Sequence, residues 1–230
     1  MAYRKGNVKI KWNGDFAYVI GVIATDGNLS PDLRHIHITS KDEEMLLNCK
    51  KCLGINNLIG KKARGGSKDK KYYVLQFGDK NFFEFLLSIG ITPKKSKTIN
   101  ELKIPKEYFK DFLRGCIDGD GSITISKHKE SKHPQYKVRL CSASKLFLEW
   151  ILKSCIELFE VKGGSICLPK ESSVYTLTFA KEDSIKVLQF IYKGKNTSLS
   201  RKRNIAFKIL KQSKKLGAGE KTAGTLLDLD

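Results

Sequence analysis

Val19-Ile20-Gly21-Val22-Ile23-Ala24-Thr25-Asp26-Gly27 and Leu113-Arg114-Gly115-Cys116-Ile117-Asp118-Gly119-Asp120-Gly121 are two versions of one pattern. Each is an apolar helical run with a glycine near its middle, and each ends in Asp-Gly before a strand-like segment. A glycine after the last periodic residue is a helix stop signal, so the preceding aspartate falls in the last helical turn. A carboxylate there faces the negative end of the helix dipole. A chain that does this twice calls for a cation near both acids. Gly21 and Gly115 lack side chains, so the two helices can pack along their backbones. A crossing at these glycines would bring Asp26 and Asp120 out side by side.

Outward from the motifs, one order of elements occurs twice. The first motif helix begins at Asn13 or Asp15, either of which can cap it. A strand over 28–30, broken at Pro31-Asp32, precedes the strictly alternating run Arg34 to Ser40. An amphipathic helix over 42–53 turns Leu46, Leu47 and Leu53 inward, a hairpin joins 58–64 to 71–77, and a helix covers 79–89. The second motif helix starts near Lys106, with strands at 122–126 and 136–142. A helix at 144–159, a hairpin over 163–179 and a helix at 182–192 follow, then a last helix from Ser200 to about Gln212. Tyr73-Val74-Leu75-Gln76-Phe77 matches Tyr175-Thr176-Leu177-Thr178-Phe179 at a spacing of 102 (175 − 73), and Ile36, Ile38 and Ser40 fall on Val138, Leu140 and Ser142 at the same spacing. The expected fold is α+β: a duplicated αββαββα unit with pseudo-two-fold symmetry and two antiparallel sheets. Its parts are a repeat over 1–97, a linker at 98–106, a second repeat over 107–212 and a flexible tail at 213–230.

The chain has 43 Lys and Arg against 24 Asp and Glu, a net charge of +19, and the basic residues run along its whole length. That distribution suits a broad polyanion-binding surface rather than a basic tail. No basic amphipathic helix marks a membrane surface, no apolar run has transmembrane length and no signal peptide opens the sequence, which together imply an intracellular setting. Cys49 and Cys52 have zinc-ligand spacing, but they lie inside an apolar helical pattern without a second close pair. The six cysteines are therefore expected to be reduced thiols.

Two adjacent carboxylates repel unless neutralised. Oxygen donors suit Mg²⁺, which keeps several waters and takes one or two carboxylates plus substrate phosphates. The expected metal residues are Asp26 and Asp120, with Thr25 and Gly119 beside them. Alternation on the strands puts Tyr73, Leu75, Phe77, Ile36 and Ile38 on one face, with Tyr175, Leu177, Phe179, Val138 and Leu140 matching them. The opposite face, and its margins, carry Asn28, Ser30, Arg34, His35, His37, Gln76, Ser122, Thr124, Ser126, Lys137, Arg139, Thr176 and Thr178. These are base-edge and phosphate readers by type, though a solvated strand face is polar in any case. Lys61, Lys62, Arg64, Lys127, Lys129 and Lys170 are candidate phosphate contacts.

The paired motifs resemble those of the LAGLIDADG homing endonucleases in their single-chain, two-motif form. The match covers the glycine, the apolar positions and the final Asp-Gly, and departs at Ala24, Thr25 and Arg114. The resemblance implies that Asp26 and Asp120 bind metal and cut one strand each. It implies a curved sheet from each half along the major groove, Gly21 and Gly115 at the helix interface, and a basic residue near each site. By position the candidates are Lys95 and Lys97 in the first half and Arg201 and Arg203 in the second, with Lys95 and Arg201 favoured, while His37 and Arg139 lie close to another polar position of the family. The activity implied is a Mg²⁺-dependent, staggered double-strand break in a long asymmetric site of double-stranded DNA, with Mn²⁺ substituting and Ca²⁺ binding without supporting cleavage. The protein would act as a monomer in a microbial cytoplasm or nucleoid, or an organelle matrix. Two alternatives share the fold: an intron maturase that binds RNA, and a DNA-binding regulator without catalysis.

Overall fold

The computed structural model describes residues 6–63, 69–127 and 134–218. Helix α1 (Gly14–Asp26) starts where the Asn13 side chain accepts a hydrogen bond from the Phe16 amide, and from Phe16 to Ala24 every residue is buried. Strands β1 (Gly27–Leu29) and β2 (His35–Ser40), helix α2 (Glu43–Leu53), strands β3 (Ile59–Lys62) and β4 (Tyr72–Gly78) and helix α3 (Lys80–Ser88) complete the first half. The second half repeats it with α4 (Phe109–Asp120), β5 (Gly121–Ser126), β6 (Gln135–Ser142), α5 (Lys145–Phe159), β7 (Ser165–Cys167), β8 (Tyr175–Phe179), α6 (Lys181–Ile191) and α7 (Ser200–Ala218). The fold is α+β, with two four-stranded antiparallel sheets ordered β1-β2-β4-β3 and β5-β6-β8-β7 in repeated αββα units.

The halves meet at α1 and α4. A Cβ at position 21 would lie 2.1 Å from the Phe112 carbonyl oxygen, and one at position 115 would lie 2.0 Å from the Tyr18 carbonyl oxygen. The contact is reciprocal, as a pseudo-two-fold relation requires. Gly27 and Gly121 end the two helices in extended rather than left-handed conformations (φ −81° and −98°). Glycine is needed there for space: a Cβ would come within 2.5 Å of the Ile23 carbonyl oxygen or 2.6 Å of Ile117.

Each sheet buries one face against its helices. Ile36, Ile38, Leu75 and Phe77 in the first half and Val138, Leu140, Leu177 and Phe179 in the second are buried, as alternation requires. Leu46 and Leu53 join this core, but Leu47 is 52% exposed, one helical step off the buried stripe. Aromatic packing holds the outer ends: Trp12 meets Phe16, Phe85 and Tyr108, and Trp150 meets Phe109, Phe112 and Phe147. Helix α7 continues to Ala218, six residues past the expected end, so the segment from 213 to 218 is helical rather than tail. All six cysteines are free; Cys49 is buried in the core, and the Cys52 thiol donates to the Thr197 hydroxyl at 3.6 Å. No helix among the described residues is long and apolar enough to cross a membrane.

A second inter-half contact lies away from the crossing. Asp42, at the start of α2, accepts two hydrogen bonds from the Arg201 guanidinium at 3.0 and 2.7 Å. Glu44 accepts from the Ser200 amide at 3.0 Å, and the Asn48 amide group donates to the Ser198 carbonyl at 3.2 Å. At the position matching Asp42, the Ser144 hydroxyl donates to the carbonyl of Ile99.

Helix propensity alone predicts that Gly→Ala stabilises a helix by about 1 kcal/mol. The crossing reverses the sign: Gly21→Ala or Gly115→Ala should lower stability by about 3 kcal/mol or more. Gly163, where a Cβ meets nothing within 4 Å, should tolerate alanine within about 0.5 kcal/mol. Denaturant titration of the three variants checks this.

Candidate active site

Helices that cross at their glycines run on together to their C-terminal ends. There a Cβ at Gly119 would lie 2.8 Å from Asp26 Oδ2 and 2.1 Å from the Thr25 hydroxyl. The Asp26 carboxylate therefore rests against the peptide that leads into Asp120. Asp26 is half-buried and Asp120 exposed, so the pair opens to solvent at one end of the interface. Both charges act on one buried ammonium, that of Lys95.

Lys95 is 5% exposed and donates to the Gly27 carbonyl, just beyond the end of α1. Burial pushes its pKa down to about 8, against the pull of Asp120 and Asp26. Its counterpart in the second half is Lys202, not Arg201. Lys202 is 3% exposed, and its ammonium donates to the carbonyls of Ile117, Asp118 and Gly121 at 2.6, 2.8 and 2.8 Å. Burial lowers its pKa to about 8 as well, with Asp118, Asp26 and Asp42 opposing the shift and Arg201 adding to it. Arg201 points away to Asp42, so the expected pairing of Lys95 with Arg201 is off by one residue. Both lysines sit against carbonyls at or just past a helix C-terminus, where the dipole is negative. The cation required by aspartates in the last turn is supplied, in part, by the chain itself.

The first acid of the second motif is buried with them. Asp118 is 1% exposed, and its Oδ2 accepts from the Leu199 amide at 2.7 Å and the Tyr18 hydroxyl at 3.0 Å. Burial raises its pKa to about 6 against those hydrogen bonds and the nearby Lys202 and Arg114 charges. Ala24 occupies the matching position in the first half. Arg114, which stands where the resembling motif has a small residue, pairs with Asp111 at 2.7 Å and donates to the carbonyls of Thr197 and Ile191.

The donors at the helix ends are all oxygens. Two carboxylates are present, and the Thr25 and Gly119 carbonyls lie among the last four of their helices. The Thr25 hydroxyl donates to the carbonyls of Val22 and Gly21 at 3.1 and 3.2 Å. No group of three His, Cys, Asp or Glu able to hold a metal exists among the described residues. This set fits a hard divalent ion that keeps water and takes further oxygens from a substrate.

The strands following the two aspartates lead to the outer sheet faces. Pairing aligns Asn28, His37 and Gln76 in one row across β1, β2 and β4, and Ser122, Arg139 and Thr178 in the corresponding row. His35 shares the first face, as does Lys62 opposite Tyr72. The Arg34 guanidinium lies beside His35 against Gly78. Ser30 exchanges a hydrogen bond with His37 Nε2 at 2.9 Å. Thr124 opposite Lys137, Ser126 opposite Gln135, and Thr176 opposite Cys141 extend the second face. Lys127 and Lys170 are exposed at its margins.

Lys61 is an exception. It pairs with Tyr73 on the helix-facing side of the sheet, and its ammonium lies 5.5 Å from that ring centroid. Arg64 and Lys129 fall outside the described residues. Burial, with the His35 and Lys62 charges, holds the His37 pKa below its usual 6.5, so its ring is neutral at pH 7. Asp32 is drawn down to about 2 by its hydrogen bond to the His35 ring. Gln135, Cys141, Ser165 and Cys167 also belong to the outer face; they continue the alternation through Arg139 and Thr176.

Residues 13–90 match a protein family described as LAGLIDADG-like domain. No curated protein matches the sequence. Several solved structures share the fold. The N-terminal LAGLIDADG domain of DUF199/WhiA has a TM-score of 0.53 and 19% identity, over 87% of this chain and 92% of that one. The I-LtrWI LAGLIDADG homing endonuclease bound to target DNA has a TM-score of 0.56 and 12% identity, over 89% and 92%. I-SmaMI bound to uncleaved DNA target in the presence of calcium ions has a TM-score of 0.57 and 13% identity, over 90% and 94%.

The two buried lysines give a pH signature. The unfolded chain holds each proton to about 10.5, and the folded chain releases it near 8. Unfolding therefore takes up protons between these values, and stability from these groups rises with pH across that window. Relative to Lys202→Met, the wild type should gain unfolding free energy as pH goes from 7 to 9.5. Denaturation at matched pH measures the difference, and a flat difference would mean an unshifted lysine.

Proposed function

From a chain that carries the LAGLIDADG fold in two copies, we propose a site-specific endonuclease acting on double-stranded DNA as a monomer. One observation carries the reading: Asp26 and Asp120 emerge together where the two helices end, each half adding a buried lysine. A pure binder has no use for like charges placed side by side at the centre of a basic molecule. The charge of +19 supports DNA as the partner. The rows Asn28–His37–Gln76 and Ser122–Arg139–Thr178 flank the acids symmetrically, as a duplex with local two-fold symmetry would require.

Asp26 and Asp120, with the Thr25 and Gly119 carbonyls, would hold Mg²⁺. A bound ion of this kind polarises a phosphodiester, lowers the pKa of a bound water and offsets charge on the leaving oxygen. Lys95 and Lys202 would fix the helix ends that carry the aspartates and add positive potential under the phosphates. Both are largely protonated at pH 7, since their pKa values lie near 8. His37, neutral at that pH, is suited to a base edge or a water, whereas Arg139 at the matching position suits guanine or phosphate. The two half-sites therefore read different chemistry, and the target is asymmetric. Phosphate contacts from Lys62, Lys127, Lys137 and Lys170 would make binding steeply salt-dependent.

The likeness to the WhiA domain favours a second reading, a DNA-binding protein that does not cut. Digestion of a randomised duplex library with Mg²⁺ separates the two. A defined double-strand cut supports the nuclease; retained, metal-independent binding without cutting supports the binder. Asp26→Asn and Asp120→Asn should each reduce double-strand cleavage more than about 100-fold while binding in Ca²⁺ persists. Equal loss of binding in both variants would count against the metal role.

A further inference from the structure

The two lysines reach equivalent places by different means. Lys95 follows Pro93, whose ring fixes φ, and Lys94, which takes a left-handed conformation (φ 57°) ahead of the short 3-10 turn Lys95–Lys97. Lys202 lies in the first turn of a long α-helix, and no proline precedes it in that segment. Its direction depends on the phase of that turn. Leu199 sets the phase: its carbonyl accepts from the Lys202 amide at 3.1 Å and the Arg203 amide at 3.0 Å. The Leu199 amide is in turn held by Asp118 Oδ2 at 2.7 Å, and the Asp118 carbonyl accepts the Lys202 ammonium at 2.8 Å. One residue thus grips the helix start through its side chain and the lysine tip through its backbone.

The other Asp118 oxygen, Oδ1, is buried and has no hydrogen-bond partner among the described residues. A half-satisfied buried carboxylate is a poor choice for stability, and Ala24 shows that the matching position in the first half does without one. We infer that Asp118 is a positioning residue that aims Lys202 at the end of α4, giving the second half a tether where the first relies on Pro93 and Lys94. The inference rests on the endonuclease reading only for its consequence: loss of the tether impairs cleavage of one strand and leaves the other.

Lysine acetylation by acetic anhydride, followed by peptide mass mapping, tests the tether without DNA or metal. In the wild type, Lys95 and Lys202 should both react slowly. Asp118→Ala should raise Lys202 acetylation about tenfold and leave Lys95 unchanged. Asp118→Asn, a weaker neutral acceptor, should raise it about two- to threefold, and carries the test should the alanine variant fail to fold. Tyr18→Phe, which removes the other donor to the same carboxylate, should leave Lys202 protected. On a duplex that the wild type cuts, Asp118→Ala should accumulate nicked product with one labelled strand intact. Equal deprotection of both lysines, no deprotection of Lys202, or equal slowing of both strands would overturn the assignment. A wild type that cuts no duplex would remove the endonuclease reading, and the acetylation pattern would still decide the role of Asp118.

Discussion

Backbone contact between Gly21 and Gly115 is the constraint on which the rest depends. Two helices touching at carbonyl distance have little freedom to slide or rotate, because any shift drives Phe112 or Tyr18 main-chain atoms into a neighbour. The crossing therefore fixes where both helices end. That fixes the two aspartates, the strands that leave them, and the sheets those strands begin. A side chain at either glycine would widen the interface and move all of these together.

The electrostatics follow from the same geometry. Placing the ends of two buried helices together concentrates carbonyl oxygens and carboxylates in one small volume. Lys95 and Lys202 answer this from beneath, each at a cost in desolvation that shows in its lowered pKa. In the second half three carbonyls share the ammonium, so the buried charge is well solvated by the protein itself. The acids are thus supported from the protein side and open on the solvent side, a polarity that suits an anionic partner approaching from outside.

Much of this was legible in the sequence because it is periodic. The motif glycines, the repeat of Tyr73–Phe77 in Tyr175–Phe179 and the alternation on β2 and β6 each carry a period that sterics enforce. What could not be read depends on phase or on distant contacts. Arg201, Lys202 and Arg203 are consecutive basic residues, and only the start of α7 decides which of them points inward. Lys61 and Lys62 differ by one residue, and a strand assigns neighbours to opposite faces. Leu47 follows Leu46 and matches it in type, yet it lies one step outside the stripe. Gly27 and Gly121 were recognisable as helix ends, but their cause is crowding by the preceding turn rather than a left-handed backbone. The hold of Asp118 on Leu199 spans 81 residues and leaves no local trace.

The clasp between α2 and the start of α7 bears on how such chains diversify. Asp42, Glu44 and Asn48 belong to one half, while Arg201, Ser200 and Ser198 belong to the other. Modular recombination that swaps one half for a homologue's would break these pairs and strand a guanidinium beside the lysine-bearing turn. Successful chimeras would have to carry the α2 surface along with the C-terminal helix, so the unit of exchange is larger on one side than the duplicated sequence suggests.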